Sequence, residues 1–149
     1  MKNILITFCM SLCLLACNTP KKEKEAIKIG QTSTSKPQTS LEKSMERGGL
    51  VFTDFCMQCH LANGKGVPGA FPPLAASNWL SEKRTESIHS VKYGQQGEIE
   101  VNGVTYNGVM VPMGLSDEEV ADVMNYIMNS WGNTQDKMVT VEEVEAVDK

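Results

Sequence analysis

Cys56-Met57-Gln58-Cys59-His60 is the stretch on which the reading of this chain turns. Two thiols separated by two residues lie on about one helical turn, and the next residue adds an imidazole. Such a pair can add to the two vinyl groups along one edge of a porphyrin, with the imidazole then placed below the iron. The pattern reads as covalent attachment of one haem c. Two other chemistries use parts of it. A thioredoxin-like redox pair needs a βαβ setting, which the patterning here does not supply. A zinc site needs four ligands, for which Cys56, Cys59, His60 and the second histidine, His89, are the candidates. His89 falls in the middle of a separate helical stretch with no further ligand near it.

The remaining cysteines leave this pair isolated. Cys9 and Cys13 lie in an apolar run, Ile4 to Leu15, that follows Lys2. The run is shorter than the roughly 20 residues a bilayer needs, and has the length of a signal-peptide core. It ends in Leu14-Leu15-Ala16-Cys17, which resembles the bacterial lipoprotein box. That resemblance implies cleavage before Cys17, acylation of its thiol and a lipid anchor to a membrane, since several acyl chains hold where one does not. With Cys56 and Cys59 alone remaining, a disulfide framework is excluded.

The expected organisation is a signal peptide over 1–17, a flexible polar linker over 18–43, a folded domain over 44–132 and an acidic tail over 133–149. The linker holds six Lys against three Glu, the domain five basic against ten acidic residues, and the tail two against five. An acidic domain argues against nucleic acid as a partner. Within the domain, Gly48, Phe52 and Cys56 recur at steps of four and predict one helix face. The central Gly, costing about 1 kcal/mol against Ala, predicts a close backbone approach. A second helix is expected from Glu82 to Tyr93, capped by Ser81 and ended by Gly94. Ile99 to Tyr106 alternates around Asn102-Gly103, a hairpin signal. Ser116 and Glu119 form a capping box, with Leu115 and Val120 as staple. Val120, Val123, Met124, Ile127 and Trp131 then continue at helical spacing to Gly132. A short tail helix should open at a second box, Thr140 to Glu143. About 89 residues make a small core that needs a staple, and the haem would be it.

A second axial ligand is expected far from the motif, and a thioether favours ferrous iron. Met110 and Met113 stand in irregular chain between the hairpin and the capped helix, and either sulfur can serve.

Three blocks together, Gly48 to His60, Phe71-Pro72-Pro73-Leu74-Ala75 and Tyr106 to Gly132, resemble the class I cytochromes c, over about 44–132. The close of the domain, through Tyr126 and Ser130-Trp131-Gly132-Asn133, is similar to cytochromes that serve periplasmic dehydrogenases, oxidases and nitrite-reducing systems. The resemblance implies an all-α fold in which N- and C-terminal helices cross around one haem, with a short hairpin before the distal Met loop. It implies thioethers at Cys56 and Cys59, His60 as proximal ligand, and a Pro72-Pro73 carbonyl accepting the other imidazole N–H. Gly48 and Phe52 would meet Val123 and Tyr126 at the crossing, and Trp79 would lie near the propionates or in the core wall. In such relatives the ligand Met directly precedes Pro, whereas here Val111 intervenes and Met113 follows Pro112. Alignment to the following helix favours Met110, with Met113 the alternative.

The implied function is single-electron transfer outside the cytoplasm, by a tethered carrier or a fixed subunit of a respiratory complex, with redox proteins of the cell envelope as partners. No small-molecule substrate and no catalytic constellation are expected, since the carboxylates fall in caps, on surface faces or in the tail and not as an isolated pair in apolar surroundings. The competing reading is a haem enzyme or gas sensor with an open distal site. For the anchor, Cys17→Ala should move the protein from the membrane to the soluble fraction with the haem domain unchanged. A wild-type protein already soluble after cell breakage overturns the lipoprotein reading.

Overall fold

Two reciprocal hydrogen bonds start the first helix. Thr39 Oγ1 accepts from the Glu42 amide at 3.2 Å, and Glu42 Oε2 accepts the Thr39 amide at 2.6 Å, a capping box that satisfies two otherwise orphaned donors. The computed structural model describes residues 38–135 and 137–149. The signal peptide, Cys17 and the linker as far as residue 37 lie outside the described residues. Helix α1 runs Ser40–Val51, so Ser40 to Lys43, assigned to the linker on composition, are its first turn.

The helix widens into a π turn over Phe52–Cys56, where the Met57 amide reaches back to Phe52 O, and continues as α2, Met57–His60. Such turns are rare and concentrate at functional sites; this one carries the first cysteine of the motif. Gly48, Phe52 and Cys56 are all buried, as the step of four requires, but a π turn and not a continuous α-helix carries the last step.

The expected Glu82–Tyr93 helix is two helices, α3 (Asn78–Glu82) and α4 (Arg84–Tyr93), broken at Lys83. Ser81 does not cap; it lies inside α3, and its hydroxyl donates to Asn78 O at 3.0 Å. The break allows Leu80 and Ile88 both to reach the core. Gly94, at φ +87°, ends α4 as expected.

Four short strands follow: β1 (Gln95–Gln96), β2 (Ile99–Val101), β3 (Val104–Tyr106) and β4 (Val109–Met110). β2 and β3 form the predicted hairpin, with Asn102 at φ +52° and Gly103 at φ +76°, the backbone a type I′ turn demands. β1 pairs antiparallel with β4, setting Gln95 beside Met110. The all-α expectation is therefore corrected to an α-rich fold with two small sheets. Met110 lies in a strand, not in irregular chain. Two-residue strands are too short to show a period.

Helix α5 spans Asp117–Ile127 behind the predicted box: Ser116 Oγ accepts from the Glu119 amide, and Glu119 Oε2 accepts from the Ser116 amide at 2.8 Å. It stops four residues before Trp131, which takes φ +52°, followed by Gly132 at +89°. Trp131 thus packs from a turn and not from the helix. The tail helix, α6 (Val141–Glu145), has only half of its predicted box. Thr140 Oγ1 accepts from the Glu143 amide, but the Glu143 carboxylate is drawn to Arg84, with Nε–Oε1 at 2.6 Å and Nη2–Oε2 at 2.9 Å.

Where α1 crosses α5, a Cβ on Gly48 would run into Asp122 O and lie 2.9 Å from Tyr126 Cβ, so the costly Gly is explained by backbone contact. Phe52 packs on Tyr126 and Trp131 with ring centroids at 5.5 and 5.0 Å, pairs worth about 0.5–1.5 kcal/mol each beyond area burial. A polar seam runs beside them. Asp122, expected among surface and cap carboxylates, is 4% exposed and receives Ser44 Oγ and a two-pronged Arg47 guanidinium at 2.6–2.7 Å. Asn125 donates to Ser44 Oγ and Val139 O and accepts the Val139 amide. The tail is held by this seam, by buried Val139, Val144 and Val147, and by Lys92 and Tyr93 donating to Val144 O and Val147 O.

Gly48→Ala should lower stability by about 1–3 kcal/mol or more, because neither backbone can retreat without unpacking the aromatic cluster. A urea midpoint shifted by less than half of this, at unchanged slope, overturns the close-approach account.

Candidate functional site

The attachment motif opens onto one apolar cleft. Phe55, Cys56, Cys59 and His60 line it from the π turn and α2, and Ala70, Phe71, Pro72 and Leu74 from the loop that follows. Trp79, Leu80 and Val91 come from α3 and α4, and Ile99 and Tyr106 from the hairpin. Val109, Met110, Val111 and Met113 add a further wall, and Val123 and Ile127 bring α5. Among the described residues no Asp, Glu, Lys or Arg lines it.

His60 is 9% exposed, and its Nδ1 lies 2.9 Å from Pro72 O. A carbonyl can only accept, so Nδ1 carries the proton and Nε2 is left with its lone pair. The Pro72 contact is the one the Pro-Pro block implied. Burial pushes the imidazole below its ordinary range, with the Pro72 bond opposing, which keeps the ring neutral and able to ligate. Cys56 and Cys59 are free thiols. Burial, and then the neighbouring Cys59, push the Cys56 thiol up to about 11; Cys59 is half-buried.

Met110 and Met113 both line the cleft and both are half-buried. They differ in support. Met110 is paired with Gln95 across β1–β4 and packs on the core cluster. Its carbonyl also passes so close to Gly94 that a Cβ there would sit 2.6 Å from it. Met113 precedes Gly114 in unpaired chain. Trp79 is half-buried in the cleft wall. His89 is not brought to Cys56, Cys59 and His60; it lines a separate groove with Glu86 and Ala146. Among the described residues no three His, Cys, Asp or Glu side chains gather as a metal cluster.

Several wall residues escaped the sequence. Leu80 lies outside the helical stretch that the pattern starts at Glu82, yet it sits in α3 and lines the cleft. Ile99 and Tyr106 face each other across the hairpin, and the alternation of that segment contained the signal.

An apolar slot with two thiols and a neutral imidazole on one short stretch, thioethers on another and no competing charge suits a covalently held haem. The cytochrome c family model matches residues 45–131. Cytochrome c-552 of Thermus thermophilus is 46% identical over 98 residues, covering 60% of this chain and 75% of that protein. The cytochrome c subunit of the quinone-type alcohol dehydrogenase of Gluconacetobacter polyoxogenes is 32% identical over 65% of this chain and 21% of its own length. The cytochrome c subunit of gluconate 2-dehydrogenase of Pantoea cypripedii is 32% identical over 70% of this chain and 24% of its own length. The chain spans about a fifth to a quarter of those two dehydrogenase subunits. It belongs to the cytochrome c family, binds one covalent haem c and serves haem-based electron transfer.

Proposed function

We propose that this cytochrome is a single-electron carrier of the bacterial cell envelope, anchored through lipid on Cys17, with Cys56 and Cys59 as haem thioethers, His60 as proximal ligand and Met110 as distal ligand. The observation that carries the reading is the convergence of both thiols, the imidazole and both loop methionines on one uncharged cleft. When bound, the haem supplies a one-electron iron couple. The residues of the chain hold its edge, present Nε2 of a ring locked by Pro72 O, and exclude water with Leu80, Val91, Val123 and Ile127. A His/Met pair raises the potential by favouring the reduced iron, and two protein ligands leave no place for a substrate.

Met110 is preferred over Met113 because strand pairing and the Gly94 contact fix its backbone, and a ligand must be held in place by its surroundings. The relatives named as dehydrogenase cytochrome subunits support redox proteins of the envelope as partners, for a mobile carrier or a fixed subunit alike. Localisation outside the cytoplasm rests on the leader and on the family. Among the described residues no helix is long and apolar enough to cross a membrane; the tether is assigned to an acylated Cys17 on the Leu14-Leu15-Ala16-Cys17 box.

Attachment is checked on a denaturing gel, where thioether-bound haem stays with the chain and stains by its peroxidase activity. Cys56→Ala combined with Cys59→Ala should abolish the stain; a double variant that still stains overturns the assignment. For the distal ligand, Met110→Ala should lower the reduction potential and let carbon monoxide bind the ferrous protein. Met113→Ala should keep the parent spectrum and lose about 1–2 kcal/mol of packing. The reverse result reassigns the ligand to Met113, and no change in either variant favours the open-site enzyme or sensor.

A further inference from the structure

The turn after α5 is bent at a cost. Trp131 at φ +52° is a bulky residue in the left-handed region, a conformation that costs roughly 1–3 kcal/mol and survives only where its surroundings impose it. The bend delivers two side chains to the loop beyond His60. The Trp131 ring lies over Gly64, where a Cβ would sit 2.6 Å from the ring. The Asn133 amide nitrogen donates both of its hydrogens, to Leu74 O at 2.7 Å and to Ile127 O at 2.8 Å. Ile127 O is one of the carbonyls left without a partner where a helix ends. A single carboxamide therefore caps α5 and ties Leu74 to it.

Leu74 belongs to the segment that holds the imidazole. Its amide and that of Ala75 donate to Gly64 O at 2.7 and 2.8 Å, the Gly66 amide donates to His60 O, and Pro72 O accepts from His60 Nδ1. These bonds close His60, the 61–66 turn and Pro72 to Ala75 into one unit. Among the described residues, the Asn133 amide is the hydrogen bond that fastens this unit to α5.

We infer that Asn133 is a positioning residue for the axial imidazole, acting through Leu74 and Pro72 to set the strength of the His60 Nδ1–H bond and thereby the reduction potential. The inference rests on the reading of His60 as proximal ligand. A strong bond from Nδ1–H to a carbonyl makes the imidazole a better donor and stabilises ferric iron, as partners behind metal-bound histidines do. Loosening Pro72 should weaken that bond and shift the iron toward the ferrous state.

The test uses the full-length haem-loaded protein and three variants: Asn133→Ala, Asn133→Ser, whose one O–H can serve only one carbonyl, and Ser130→Ala. Ser130 Oγ donates to Tyr126 O at 2.6 Å, so its loss weakens the same helix end without touching the loop. Two quantities are read: the potential by spectroelectrochemistry, and solvent exchange of the His60 Nδ1 proton by NMR. Asn133→Ala should raise the ferrous-to-ferric ratio at a fixed applied potential by roughly two- to tenfold, below the effect of removing a direct partner, and speed the proton's exchange. Asn133→Ser should fall between it and wild type, and should report even if the Ala variant does not fold. Ser130→Ala should change neither quantity while losing stability. Wild-type values of both quantities in the folded Asn133 variants, or an equal shift in Ser130→Ala, overturn the role. A ferric wild-type protein whose His60 Nδ1 proton shows no paramagnetic shift overturns the ligand reading itself, and this inference with it.

Discussion

Backbone-to-backbone contact at Gly48 is the constraint on which the rest of the molecule depends. Without a side chain there, α1 can press against Asp122 and Tyr126 of α5, and that approach sets the line along which the π turn and α2 leave. Phe52 then falls between Tyr126 and Trp131, and Cys56, one turn on, reaches the cleft that Val123 and Ile127 also line. The same closeness buries polar groups, which would cost roughly 1–3 kcal/mol each if left unpaired. The seam of Ser44, Arg47, Asp122, Asn125 and Val139 satisfies them mutually, and among the described residues no buried side-chain polar atom lacks a partner. Packing and polar pairing therefore have to be right together at one crossing.

How much of this was legible from residues alone depended on the range of the interaction. The motif, the Asn102-Gly103 hairpin and the Ser116–Glu119 box are local chemistries in which the residues that cause the structure are neighbours. The cost of Gly48 pointed correctly to a close approach because a glycine inside an apolar helix face has few other reasons to be there. The failures had one origin, tertiary demand overriding a local pattern. Glu143 has the spacing of a capping box, but Arg84, 59 residues away, takes its carboxylate. Trp131 continues a helical stripe, but the helix has ended and the ring arrives from a turn. Asp122 looked like a surface carboxylate because its partners, Ser44 and Arg47, lie 75 or more residues away. For the site, the motif could be read directly and the walls only in part, since a cleft assembled from six segments has no signature in any one of them. The pairing that separates Met110 from Met113 runs through two-residue strands that no periodicity betrays.

Charge is distributed to suit this arrangement. The acidic excess lies on the outer surface, in caps and in the tail, while the cleft lining is free of formal charge. The tail's acidity has a defined counterpart in α4, where Arg84 meets Glu143; Lys92 of the same helix pairs with Asp117 of α5 and donates to the tail backbone at Val144 O. Hydrogen bonding to Arg84 holds the Glu143 carboxyl below its ordinary range. A segment that composition describes as an appendage is thus part of the packed unit.

The cleft draws its walls from both ends of the domain, and this bears on how the molecule can be made. Synthesis runs from the N-terminus, so the cysteines and His60 emerge well before Met110, α5 and the tail that covers α4. A nascent chain at that stage has its attachment motif complete and its enclosing walls missing. The proposed thioethers would form most easily on such an open chain, before the C-terminal third covers the cleft.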